Sequence, residues 1–196
     1  TASDLVVGSA AAAASNAVTV TLNDEAANTA AVDVANLTIT QAKSVTVNAG
    51  VDVNTDGTKS NLTSLAASAS NADITINTGA NGVTLTTGIT AGAAGAYGDA
   101  IFTGSGAISQ AAIAANVDTF NASAMTGAVT MTGVITGNVN TITTGTANDT
   151  VLLGALTTTS VNTGAGNDSV QLFNDYGTKT VTLTGGDGTD TLVFVT

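Results

Sequence analysis

Apolar and polar residues alternate through much of the first half of the chain. Val18-Thr-Val-Thr-Leu22, Leu37-Thr-Ile-Thr40, Val45-Thr-Val47 and Val51-Asp-Val53 each place aliphatic side chains at every second position. Period two is the signature of a half-buried strand, and the β-branched Val and Thr that dominate these runs favour that conformation. Asn23-Asp24, Asn48-Ala-Gly50 and Asp56-Gly57 fall between the runs, and such residues supply turns, including those with positive φ. Short strands separated by turns, with no long helical segment between them, predict an all-β chain.

Two stretches read differently. Ser9 to Ala17 is alanine-rich and suits a short helix or a loose leader. Ile108, Ala111, Ala112 and Ala115 share one helical face, which predicts a helix inside an insertion at about 97–116. That insertion separates two copies of an internal repeat. Leu62 to Ile76 aligns without a gap on Val117 to Met131, 55 residues later, with Leu65 on Phe120, Ala67 on Ala122, Ile74 on Val129 and Ile76 on Met131. Downstream, Leu85-Thr-Thr-Gly88 corresponds to Ile142-Thr-Thr-Gly145. A period of this size reads as a block of about three solenoid rungs.

Three related pentapeptides follow: Gly145-Thr-Ala-Asn-Asp149, Gly164-Ala-Gly-Asn-Asp168 and Gly186-Asp-Gly-Thr-Asp190. Each leads into a hydroxyl residue and then an apolar one: Thr150-Val151, Ser169-Val170 and Thr191-Leu192. This is the shape of the nonapeptide G-G-x-G-x-D-x-U-x, a calcium-binding turn that starts a strand. The aspartates lie 19 and 22 residues apart, about one coil, so the turns should stack on one edge of a parallel β-solenoid. Calcium takes six to eight oxygens, more than one turn can offer. An ion between two turns, however, can draw a carboxylate and carbonyls from each. The pattern therefore predicts two sites, between Asp149 and Asp168 and between Asp168 and Asp190, with Asp168 shared. The chain divides on this reading into Thr/Ala-rich coils over 1–143 and calcium-type coils over 144–196. Ala147 stands where the second glycine belongs, so the first turn is the degenerate one, and Asp187 adds an acid to the last.

Composition narrows the chemistry further. Fourteen acids against three bases give a net charge of −11, which opposes nucleic acid or an anionic membrane as a partner and favours a cation. The chain has no cysteine, so disulfides cannot staple it, and no run reaches the roughly 18 apolar residues of a membrane span. Thr rather than Met at the start, and the strand-like Leu192 to Thr196 at the end, read as a piece of a longer chain. Catalysis has little to work with: there is no histidine to serve as a base near neutral pH. No serine lies in a G-x-S-x-G elbow, and the acids that could form a glycosidase pair sit in glycine turns. The expectation is a protein that is not an enzyme.

Three further features have plain alternatives. Asp52-Val-Asn-Thr-Asp-Gly57 matches the opening of an EF-hand loop, but its twelfth position is Thr63 instead of Glu, and it reads as a strand end and turn. Asn174-Asp-Tyr-Gly177, midway between motifs, reads as a plain turn, with Asp175 as a ligand the alternative. The pairs Thr19/Thr21, Thr38/Thr40, Thr84/Thr86, Thr141/Thr143 and Thr180/Thr182 could form a ranked array on one face that binds ice, although threonine is also the default outward residue of a sheet.

These features together make the chain similar to bacterial surface-layer proteins and large adhesins of the RTX class. The likeness rests on the three nonapeptides, the segment Phe120-Asn-Ala-Ser-Ala124 leading into Thr/Gly-rich strands, and an Ala/Thr/Gly/Asn composition without cysteine. The nonapeptides cover the last quarter, and the composition covers nearly all of the chain. The resemblance implies type I secretion, calcium-triggered folding outside the cell and self-assembly with further copies into a surface lattice. Cell-surface polysaccharide or lipopolysaccharide is the implied anchor. Carried over by motif, the calcium ligands would be Asp149, Asp168 and Asp190. The turn residues Gly145, Gly164, Gly166, Gly186, Gly188, Asn148 and Asn167 would complete the set. An adhesin segment, ice- or glycan-binding through a threonine-rich face, is the alternative. The chain departs from the densest family examples in having one motif per coil and a degenerate first copy.

Overall fold

In the computed structural model the chain is all-β. The structure describes residues 3–8, 16–23, 33–40, 42–51, 60–67, 71–93, 95–110, 113, 116–137, 139–156, 159–173 and 180–195, and no helix occurs among them. The strands alternate between two parallel sheets that face each other across a common core, which makes a β-solenoid. In chain order they are β1 (Ser3–Gly8), β2 (Ala17–Asn23), β3 (Asp33–Thr40), β4 (Ser44–Val51), β5 (Ser60–Ala67) and β6 (Asp73–Asn77). Next come β7 (Val83–Ala93), β8 (Ala96–Gly104), β9 (Ile108–Gln110), β10 (Val117–Met125), β11 (Val129–Met131) and β12 (Ile135–Gly137). The last six are β13 (Thr141–Thr143), β14 (Thr150–Leu156), β15 (Thr159–Asn162), β16 (Ser169–Phe173), β17 (Val181–Thr184) and β18 (Thr191–Val195).

The first sheet stacks β1, β3, β5, β7, β9, β11, β14, β16 and β18, with β12 also on β14. The second stacks β2, β4, β6, β8, β10, β13, β15 and β17. Among the described strands the one antiparallel contact is local, where β7 turns into β8 at Gly92 and Tyr97. The alternation seen in the sequence is what fills the core. In β6, Ile74 and Ile76 are fully buried while Asp73, Thr75 and Asn77 face outward. Leu37, Leu65 and Ile89 stack in one sheet, and Val45, Ile74 and Ala100 in the other. Phe102 and Phe120, fully buried with ring centroids 4.7 Å apart, pack against each other in the middle of the core.

Coil length changes along the stack. Val45 pairs with Ile74, a coil of 29 residues, whereas Ile142 pairs with Val161, a coil of 19. The 55-residue repeat is therefore not a block of whole rungs. Leu62 to Ile76 runs from the first sheet to the second through β5 and β6, while Val117 to Met131 runs from the second to the first through β10 and β11. The repeated unit is strand, corner, strand, and it recurs with the two sheets exchanged.

The stretch at 97–116, expected as an insertion with a helix at Ile108, is built into the stack. β8 lies between β6 and β10, and β9 lies between β7 and β11. Ile108 and Ile113 are buried, and Ile113 bridges Ile89 in parallel. Ile108 and Ile113 are thus core residues held by sheet pairing, and the other positions of the expected helical face, Ala111, Ala112 and Ala115, lie outside the described residues. Residues 9–15, the EF-hand-like Asp52 to Gly57 and the Asn174 to Gly177 turn with Asp175 lie outside the described residues. No helix among the described residues is long and apolar enough to cross a membrane.

Candidate metal centre

The edge where the second sheet hands the chain to the first carries the three Gly/Asp turns. From the last inward residue of one strand to the first of the next, Ile142 to Val151, Val161 to Val170 and Leu183 to Leu192 each span nine positions. Upstream on the same edge, Ile76 to Val83 spans seven and Phe102 to Ile108 six. The two or three extra residues make room for an aspartate that folds back under its own turn.

The turns stack in register: Gly145 on Gly164 on Gly186, and Ala147 on Gly166 on Gly188. Gly164 and Gly186 have φ of 87° and 90°, and Gly166 and Gly188 have 132° and 131°. The second and third turns thus share one conformation, and Gly145 lies outside the positive-φ region. The stacking is close enough to exclude a side chain. A Cβ on Gly164 would lie 2.1 Å from the Gly145 carbonyl oxygen, and one on Gly186 1.7 Å from that of Gly164. Ala165 N–H donates to the Gly145 carbonyl at 3.1 Å, Asp187 N–H to the Gly164 carbonyl at 3.0 Å, and Gly166 N–H to the Asp187 carbonyl at 2.8 Å.

The aspartates form a ladder that reaches back toward the preceding coil. Asp149 Oδ1 accepts from Val129 N–H at 2.7 Å, Asp168 Oδ1 from Asp149 N–H at 2.8 Å, and Asp190 Oδ1 from Asp168 N–H at 3.1 Å. The asparagines run the other way. Asn148 Oδ1 accepts from Asn167 N–H and Asn167 Oδ1 from Thr189 N–H, both at 2.8 Å. The carboxylate bonds, being charge-assisted when the aspartates are ionised, tie successive turns together more strongly than the neutral asparagine ones.

Asp149 and Asp168 are almost completely buried, and Asp190 on the last turn is exposed. Burial pushes the Asp149 carboxyl above its ordinary range, and the neighbouring Asp168 adds to the rise. Hydrogen bonds from Val129 N–H, the Thr144 hydroxyl and Gly145 N–H oppose it. Asp168 differs in one respect: its Oδ2 is buried and has no hydrogen-bond partner. A buried anionic oxygen without a donor is costly, and a hard cation is the group that would satisfy it. Among the described residues no three acidic side chains converge, because the ladder sets one carboxylate at each level. An ion here would have to complete its shell from turn carbonyls and water. Asp168 and Asp190 with those carbonyls are the residues that fit calcium. Asn148 and Asn167 already use Oδ1 within the ladder.

Sequence motifs did not point to the threonines beneath the turns. Thr144 Oγ1 donates to the Thr163 carbonyl at 2.8 Å and Thr163 Oγ1 to the Gly185 carbonyl at 2.9 Å, both from buried side chains. Thr78 does the same upstream, donating to the Gly106 carbonyl at 2.9 Å. The available signal was a Thr-Gly that recurs at this edge from β6 onward: Thr78-Gly79, Thr103-Gly104, Thr126-Gly127, Thr144-Gly145, Thr163-Gly164 and Thr184-Gly185. The threonine pairs expected as one array are divided: Thr38/Thr40 and Thr84/Thr86 lie in the first sheet, Thr19/Thr21 and Thr141/Thr143 in the second. No family model, no curated protein and no solved structure matches the chain.

Proposed function

We propose that this chain is a structural module of a secreted, calcium-dependent bacterial surface-layer protein that assembles with further copies of itself at the cell surface. It is not an enzyme on this reading, and calcium is its cross-link. The observation that carries the proposal is the buried, unpartnered Oδ2 of Asp168 within a ladder of stacked carboxylates. Without a cation, successive buried carboxylates repel each other. In calcium-poor cytosol the turns would be kept open, and in an external medium the ion would close them, coupling binding to folding. The nonapeptide resemblance supports the RTX assignment, type I secretion and anchoring to surface polysaccharide or lipopolysaccharide.

Thermal melting followed by far-UV circular dichroism, with calcium and with EGTA, tests the premise. A free ion at a hundred times its dissociation constant should add about 2.7 kcal/mol, a shift of roughly 5–10 °C for a chain of this size. An unchanged melt would remove calcium from the proposal.

One observation favours a second reading, a calcium-stabilised adhesin segment that binds ice or glycan. On the outer face of the second sheet, Thr19, Thr46 and Thr75 stand in one column, and Thr141, Ser160 and Thr182 in another. Electron microscopy separates the two. A lattice protein forms ordered sheets with calcium alone, and an adhesin stays dispersed until its ligand is added.

A further inference from the structure

We infer that the three turns are not equivalent: the cation belongs to one level, at Asp168, and Asp149 is a saturated cap that closes the ladder against the upstream coils. This rests on the calcium reading and assigns its stoichiometry and its boundary.

The difference begins with one N–H. In the first turn Gly145 N–H donates to Asp149 Oδ2 at 3.1 Å, while Oδ1 takes Val129 N–H. Both oxygens of this buried carboxylate are therefore satisfied by protein donors, and such bonds stabilise the anion without a metal. In the second turn Gly164, at φ 87°, gives its N–H to Asn162 Oδ1 instead, at 3.1 Å. The residue in register with Asn162 in the preceding coil is Thr143, which has no amide oxygen to offer. Asp168 thus loses the donor that Asp149 keeps, and its Oδ2 is left buried without a partner.

The second glycine of each turn follows the same division. Gly166 and Gly188 share a conformation that L side chains rarely adopt, and Ala147 occupies that place in the first turn. The third turn repeats the backbone of the second and brings Asp190 onto Asp168 N–H. Asp168 and Asp190 are therefore the carboxylates available to one ion, and the Asp149 level is closed. Asn162 acts as a positioning residue: it holds the Gly164 N–H away from Asp168.

Calcium titration of the full chain by isothermal calorimetry tests this. The wild-type chain should bind one ion at this edge. Asp168→Asn should lose at least about tenfold in affinity, and Asn162→Thr, at an exposed position, about tenfold as well, in the range expected for residues that orient a ligand. Asp149→Asn should lower the melting temperature yet keep one ion at close to wild-type affinity. Two ions in the wild type, loss of the ion in a folded Asp149→Asn, or unchanged affinity in Asn162→Thr would each overturn the assignment. Where Asp149→Asn does not fold, the stoichiometry and Asn162→Thr decide. Absence of any calcium binding by the wild type would instead remove the calcium reading itself.

Discussion

Gly166→Ala tests the stacked turns without reference to any ion. Gly166 has φ of 132°, and a Cβ there would lie 2.4 Å from the Ala147 carbonyl oxygen and 2.7 Å from its carbon. Ordinary contact begins near 3.4 Å, so the turn must lift by about 1 Å. Holding a non-glycine residue in such backbone costs about 1–3 kcal/mol. Lifting the turn also strains the bond from Gly166 N–H to the Asp187 carbonyl, now 2.8 Å, worth about 1 kcal/mol. The expected loss is about 3 kcal/mol, or roughly 6–12 °C in melting temperature. Ala147→Gly is the matched control at the same place in the first turn, where alanine is already accommodated. It should cost only about 0.5–1 kcal/mol, through the added freedom of the unfolded chain. Both variants are melted in EGTA and again in calcium. If Gly166→Ala melts within about 2 °C of the wild type, or costs no more than Ala147→Gly, the close stacking of these turns is wrong.

Two further outcomes are expected. Phe120 is fully buried and pairs with Phe102 at 4.7 Å, so Phe120→Ala should lower the unfolding free energy by about 3–5 kcal/mol, read from the urea midpoint; a loss under about 1 kcal/mol would contradict the packed core. Burial raises the folded-state pKa of Asp149 above its ordinary 3.8, so its ionisation costs stability above that folded pKa and the cost vanishes as pH falls through it. In EGTA, the melting temperature of the wild type minus that of Asp149→Asn should therefore increase as pH is lowered from 7 through the folded pKa toward 3.8, and a constant or decreasing difference would refute the burial.

The solenoid was legible because its period-two runs, though short, recur and are nearly free of exceptions, as in Val18 to Leu22 and Val45 to Val47. The Gly/Asp turns were legible because a bond between coils needs the same residue at the same place in each. The misreadings have a common physical cause. A solenoid coil has two sheets of similar composition, so a repeat detected by residue type cannot tell one sheet from the other. Leu65 and Phe120 match as inward residues after a turn, yet they belong to opposite walls of the core. Ile108 and Ala112 satisfy helical spacing, but Ile108 is also one of the inward positions of a strand that neighbours on both sides hold in place. The role of Asn162 was not legible at all. It depends on whether the N–H two residues ahead points at the asparagine or at an aspartate four residues beyond it. Gly164 takes the asparagine with a positive φ that Gly145 does not share, and no residue pattern encodes that difference.

The position of the acidic turns follows from how the core changes along the stack. The long coils enclose Leu37, Ile39, Leu65 and Ile74, and the middle of the stack holds both phenylalanines, all with no accessible surface. From Ala100 onward the coils shorten to about twenty residues, and beyond Ile142 they are filled by Val151, Leu153, Val161, Val170 and Leu172, the last two with some accessible surface. Each shortened coil buries fewer methylenes, at about 0.8 kcal/mol for each one lost. Conformational entropy lost for each ordered residue does not shrink in the same way. Hydrogen bonds between turns make up part of that difference, since charge-assisted bonds to buried carboxylates exceed neutral ones in strength. A carboxylate ladder, however, brings like charges together in a poorly solvated place, and each added level raises that repulsion. The ladder can therefore stabilise the narrow end only where each buried carboxylate has its donors or a counter-charge. Asp149 meets that condition with N–H groups from Val129 and Gly145, and Asp168 does not. This places the need for a cation one coil beyond Asp149, where Val170 and Leu172 are less completely buried than the core residues upstream and an added ion contributes most.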